Sequence, residues 1–202
     1  MRWIEGDACG VFHPLNGYED GANVIADMLR YAAGPGFPGS DGSPPEPSKA
    51  VARLGRWRIP LTGASASFTT ERLDQQASEY PRLDERYTAT QHRYGYFATT
   101  PSETGRAAMF DPLARVDFNH PRIERFSLPA GDVASEPVFI PRSAHGAEGD
   151  GYLLAVGYRG REQRSDFVVL DAPHIEAGPL ATAHLETRVP FGFHGNWLPQ
   201  AA

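Results

Sequence analysis

Apolar and polar positions alternate with a period of two along much of this chain. In "GRWRIPL" (residues 55–61), Trp57, Ile59 and Leu61 alternate with Arg56, Arg58 and Pro60, the pattern of a half-buried strand. "TGAS" then reads as a turn and "ASFTTERL" as a return strand, which predicts a hairpin. "RYGYFAT", "ARVDF", "IERFSL", "EPVFIP", "GYLLAVGY", "DFVVLDA" and "PLATAHLETRV" follow as short strands, spaced by about 8–12 residues as in all-β proteins. "NVIADMLRYAA" has some helical character but reads as a strand from its neighbours. About a dozen strands result, enough for three four-stranded units of a propeller. The Gly/Pro/Ser-rich stretch 34–49 cannot build a packed core and reads as a surface insertion rather than a lid.

Composition narrows the class. A length of 202 residues suits one domain or part of a larger one, and 41% hydrophobic residues can fill a core. The 21 glycines and 18 prolines favour turns over long helices. A net charge of −6 argues against a general nucleic-acid binder, which carries a basic surface. Cys9 is the only cysteine, so no intrachain disulfide forms and a reducing, cytoplasmic setting is expected, with Cys9 as a small buried side chain. Arg2, Glu5 and Asp7 interrupt any secretory signal, and no run approaches the ~18 apolar residues of a membrane span. Patterned sequence begins almost at Met1, which suggests a truncated reading.

None of the seven histidines forms a local metal motif. His92, His120, His145, His174 and His184 read as hydrogen-bonded or surface imidazoles. His13 and His194 differ in context. If "VFHP" and "PFGFHGN" are extended, Phe12 faces away from His13, and Phe191 and Phe193 face away from His194. The phenylalanines would then pack between sheets while the histidines face a cavity. Two glutamates also stand beside apolar sequence, Glu79 in "SEYPRLDERY" and Glu136 in "SEPVFIPR". A carboxylate there is costly to bury without a partner. On the residues alone, each reads as a solvated edge or loop glutamate. Glu19 and Asp20 read as solvated or turn-forming.

Six stretches, in order, resemble the C-terminal half of the carotenoid cleavage oxygenase family: "FHPLNGYEDG", "SEYPRLDERY" running into "RYGY", "SEPVFIPR", "DGYLLAVGY", "SDFVVLDA" and "VPFGFHGNW". They span nearly the whole chain. The family includes carotenoid, apocarotenoid and stilbene dioxygenases and a retinoid isomerase. The resemblance implies an all-β fold, part of a seven-bladed β-propeller, here about three to four C-terminal blades plus a closing strand. It implies Fe(2+) held by four histidines, of which His13 and His194 occupy the third and fourth positions. Glu79 and Glu136 match the glutamates that hold ligand imidazoles. The first two histidines and a third glutamate belong to the preceding half of the family sequence, and nothing here replaces them. The chain is therefore expected to be a single-domain fragment, residues 1–202, inactive alone. A smaller departure is Gly149, where the family tends to carry an acid.

The activity so implied is cleavage of a conjugated C=C bond in an apolar carotenoid, apocarotenoid or stilbene with O2, giving carbonyl products. Iron carries the oxidation, and the protein positions the double bond and excludes water. Phe12, Phe191 and Phe193 are expected to pack rather than to touch substrate. Two alternatives stay open: an iron-dependent isomerase of the same fold, and a non-catalytic truncated propeller. The family often takes substrate from membranes, so the resemblance allows peripheral membrane contact. The sequence sets no oligomeric state.

Overall fold

The computed structural model describes residues 3–34, 37–44, 46–63, 67–100, 110–120 and 122–198. Among them, thirteen strands form three antiparallel sheets. The first sheet runs β1 (Gly10–Asp20), β2 (Asn23–Tyr31), β3 (Ala52–Pro60) and β4 (Thr69–Arg72). The second runs β5 (Ser78–Arg82), β6 (Tyr94–Thr99), β7 (Leu113–Asp117) and β8 (Arg122–Phe126). The third contains β9 (Val133–Ala134), β10 (Val138–Pro141), β11 (Gly151–Arg159), β12 (Arg164–Asp171) and β13 (Pro179–His184), with β9 also pairing with β11. Apart from β9, which pairs with β11 and not with β10, strands adjacent in sequence pair within each sheet, as in propeller blades. Two short 3₁₀ turns, Glu85–Tyr87 and Ala172–Ala177, are the helical content of the described residues.

The predicted strands recur, including β2 from the stretch with helical character and the β3–β4 hairpin, whose connecting "TGAS" lies partly outside the described residues. In stretch 34–49 the described residues form turns and no strand, and most are exposed. Cys9 is half-buried rather than buried, because residues 3–9 before β1 have no sheet partner.

Period-two alternation explains how the sheets stack. In the middle sheet, Tyr96, Ala98 and Leu113 face the third sheet and join Phe139, Leu153 and Leu170 in one buried cluster. Phe97, Ala114 and Val116 face the first sheet and join Leu29, Tyr31 and Leu54 in another. Successive residues of one strand thus serve opposite cores. Tyr96 and Phe139 stack with ring centroids 5.4 Å apart.

Polar latches fix the sheets relative to one another. Asn16 of β1 donates to the carbonyls of Tyr87 (3.2 Å) and Thr90 (3.0 Å) and accepts from the Ala89 N–H (2.9 Å). Arg86, held by buried Asp84, donates to the carbonyls of Ser143, Ala144 and Gly146 at 3.0–3.2 Å. Glu148 accepts the backbone N–H groups of Arg93 (2.6 Å) and Tyr94 (3.0 Å). The next residue, Gly149, has φ +77°, and a Cβ there would lie 2.5 Å from the Tyr94 ring. An acid at this position would collide with that ring.

His92 is buried and packs between Asn16, Asp27 and Phe118. Burial lowers its pKa from 6.5 to about 4; Asp27 opposes the shift and Arg56 adds to it. Between these two pH values the unfolded chain binds a proton at His92 and the folded chain does not. Stability from this residue is therefore complete above pH 6.5 and is lost as pH falls toward 4, by on the order of 3 kcal/mol. Urea midpoints measured across this window should fall for the unsubstituted protein and fall less for His92→Gln. Equal slopes would contradict the assignment. His120, His145, His174 and His184 are exposed, and His184 pairs with Asp166 at 2.8 Å.

Candidate metal centre

The site is assembled from β1, β5, the β9–β10 connection and the C-terminal segment. His13 lies on β1, whose pairing with β2 shifts register between Val11 and His13. The extra residue, Phe12, bulges, so strict alternation fails there. Phe12 is 52% exposed, with its ring 5.3 Å from that of Tyr31. The expectation that Phe12 packs between sheets is corrected by this bulge.

His13 Nδ1 lies 2.5 Å from Glu79 Oε2. Glu79 is buried in β5 and also accepts from the Tyr31 hydroxyl and the Tyr80 N–H (3.1 Å). Burial, together with the Glu79 hydrogen bond and charge, raises the Tyr31 pKa far above its ordinary value, so the phenol stays a donor. With Glu79 accepting, the proton of neutral His13 sits on Nδ1 and its lone pair on Nε2.

The second imidazole repeats this arrangement. His194 Nδ1 lies 3.1 Å from Glu136 Oε1, and Glu136 Oε2 accepts the Gly195 N–H at 2.8 Å. Glu136 is buried, whereas the His194 side chain is 55% exposed, against 25% for His13. The two glutamates do lie on an edge strand and in a connection, as expected, but not in water: both are buried, and their burial is satisfied by the imidazoles and the backbone.

The two rings meet although 181 positions separate them: their centroids are 5.0 Å apart and their planes 74° apart. Tyr80 sits against both, at 5.7 Å from His13 and 6.0 Å from His194. It has φ 58°, a left-handed conformation that bulky residues rarely adopt. Burial, then the Glu79 and Glu136 charges, raises its pKa. Among the described residues no group of three histidines, cysteines or carboxylates is placed to hold a metal ion. Two imidazoles with carboxylate-bound Nδ1 edges nevertheless suit a first-row metal, because this pattern leaves both Nε2 lone pairs available.

Residues 185–198 contain no strand, contrary to the extended reading of "PFGFHGN". Without a ladder to hold them, Phe191 and Phe193 are 57% and 75% exposed rather than packed between sheets. Both line an apolar cavity of about 480 Å³ beside the third sheet, with Phe110, Phe167, Tyr80 and His194. That volume suits a small organic ligand. Tyr31, Tyr80 and Arg82 belong to the site and were not singled out by sequence. Tyr31 closes an apolar strand and reads as core, and Tyr80 and Arg82 are brought in by a bulge in β5.

The family model described as Retinal pigment epithelial membrane protein matches residues 1–199. The chain belongs to that family. Similar proteins include an isoeugenol monooxygenase of Pseudomonas nitroreducens, 35% identical over 99% of this chain and 44% of the relative. A carotenoid cleavage oxygenase of Mycobacterium tuberculosis is 36% identical over 98% of this chain and 40% of its own length. The solved lignostilbene dioxygenase of Pseudomonas brassicacearum superposes with a TM-score of 0.86 at 29% identity, over 95% of this chain and 42% of that one. The chain thus spans about two fifths of these carotenoid oxygenase relatives, and its three sheets form part of the family's propeller. No helix among the described residues is long and apolar enough to cross a membrane.

Proposed function

We propose that His13 and His194 bind one ferrous ion through Nε2, and that the whole protein cleaves a conjugated C=C bond of an apolar substrate with dioxygen. The observation that carries this reading is the 5.0 Å between two rings whose Nδ1 edges are each held by a buried carboxylate. Glu79 and Glu136 fix tautomer and ring orientation. The chain spans about two fifths of its relatives, and in this reading the remaining two imidazoles of the family's arrangement belong to the rest of the whole protein. When bound, the iron supplies the redox chemistry that makes dioxygen reactive toward the double bond.

The chain's own residues bind, orient and exclude water. His13 and His194, their Nδ1 edges held by Glu79 and Glu136, keep Nε2 free for the ion. Phe110, Phe191 and Phe193 give the adjoining cavity an apolar wall that favours a hydrocarbon over water. The relatives' names point to isoeugenol, carotenoids and lignostilbene, which share a C=C bond conjugated with an arene or polyene. For such a bond, R–CH=CH–R′ and O2 give R–CHO and R′–CHO with all atoms accounted for.

Turnover of a stilbene and of an apocarotenoid by the whole protein under ¹⁸O2 tests the reading. Two aldehydes carrying the label are expected. A geometric isomer without label would make the protein an isomerase of the same fold. No turnover together with no stoichiometric iron would leave a non-catalytic propeller.

A further inference from the structure

We infer that Arg82 is a positioning residue for His194, clamping the segment that carries this imidazole. The inference rests on the reading of His194 as a metal ligand. His13 takes its position from a strand paired along its length with β2. His194 has no such support, because residues 185–198 contain no strand, and Phe193 and Trp197 near it are 75% and 50% exposed. Gly192 and Gly195 flank it and add backbone freedom that must be lost when the imidazole is fixed.

The Arg82 guanidinium supplies the missing restraint. Nη1 donates to the Gly195 carbonyl at 2.9 Å and to Glu136 Oε2 at 3.2 Å. Nη2 donates to Asn196 Oδ1 at 3.3 Å and to Glu85 Oε1 at 2.7 Å. Glu136 Oε2 in turn accepts the Gly195 N–H at 2.8 Å. Arg82 and Glu136 together thus satisfy both backbone polar groups of the residue after His194, while Glu136 also holds the imidazole. The Arg82 side chain is only 16% exposed. The planar fork serves the Gly195 carbonyl and Glu136 through Nη1 and Asn196 and Glu85 through Nη2; a single lysine ammonium on a flexible stem cannot reproduce that spread.

The bulge in β5 explains how one short strand serves both histidines. Glu79 pairs with Ala98 and Arg82 with Tyr96, so three steps on β5 match two on β6. The extra residue brings Glu79 and Arg82 to the same face, where a regular strand would set them on opposite faces. Glu79 then holds His13 and Arg82 holds the segment of His194.

The test uses the whole protein, with amide hydrogen exchange measured metal-free and ferrous iron affinity measured by chelator competition. In Arg82→Met, amides of residues 193–197 should exchange about ten-fold faster or more while those of β6 and β11 do not change. Iron affinity should fall about 10–100-fold. Arg82→Lys keeps the charge beside Glu136 and loses the fork; it should release the same segment to a lesser degree, and it decides the matter if Arg82→Met does not fold. Unchanged exchange at 193–197 overturns the clamp. Faster exchange with unchanged iron affinity overturns the positioning role. If the unsubstituted protein binds no iron, the ligand reading itself falls, and the exchange data separately show whether the clamp exists.

Discussion

Replacing either His13 or His194 with alanine should abolish stoichiometric iron binding in the whole protein and reduce cleavage to background, with the fold retained. In the proposed centre each imidazole supplies an Nε2 lone pair that no neighbouring group can replace, since no third histidine, cysteine or carboxylate among the described residues is placed to do so. The fold should survive because neither side chain belongs to the buried clusters that join the sheets. The glutamates behave differently. Glu79→Gln and Glu136→Gln keep the shape and a hydrogen-bonding group but weaken the acceptor for Nδ1–H, and should cost about 10–100-fold in iron affinity. Iron analysis with circular dichroism separates the two classes. Full iron occupancy in His194→Ala would remove that residue from the ligand set.

The largest loss of stability is expected at Asp27, away from the metal centre. Asp27 is fully buried on β2, and Arg56 of β3 binds it through two hydrogen bonds of 2.7 and 2.9 Å. Burial alone would lower the Arg56 pKa; the Asp27 hydrogen bond and charge outweigh it and raise the value. The guanidinium also lies over the Phe118 ring at 4.7 Å. Asp27→Ala leaves this cation, its side chain only 16% exposed, without its carboxylate, which should cost about 3–5 kcal/mol in urea unfolding. The double variant Asp27→Leu, Arg56→Met should recover much of that loss, because an apolar pair needs no compensation. A loss near zero for Asp27→Ala would mean that Arg56 reaches water.

The sheets were legible in the sequence because half-buried strands write a period of two. Trp57 and Ile59 alternate with arginines in β3, and β2 followed its neighbours despite its helical character. What could not be read lies where that period breaks. The bulge at Phe12 exposes a side chain that alternation assigns to the core, and the bulge after Glu79 aims Arg82 at a segment more than a hundred residues away. The C-terminal stretch alternates in sequence but has no strand beside it, so Phe191 and Phe193 line a cavity instead of filling a core. Local context singles out His13, His194, Glu79 and Glu136, but their pairing was reached through family resemblance, since an imidazole and a carboxylate far apart in sequence carry no local mark of it. Tyr31 was missed for that reason: nothing in "MLRY" distinguishes a hydroxyl that holds Glu79 from a tyrosine that only packs.

The central claim is that two distant imidazoles, each protonated on Nδ1, present Nε2 to one shared ion. Nitrogen NMR of ¹⁵N-histidine-labelled whole protein, titrated with diamagnetic zinc in place of iron, tests it most directly. The account predicts that the Nε2 resonances of His13 and His194 shift together and saturate at one equivalent, while both Nδ1–H signals persist. Zinc moving only one of the two, or binding with neither affected, would contradict it.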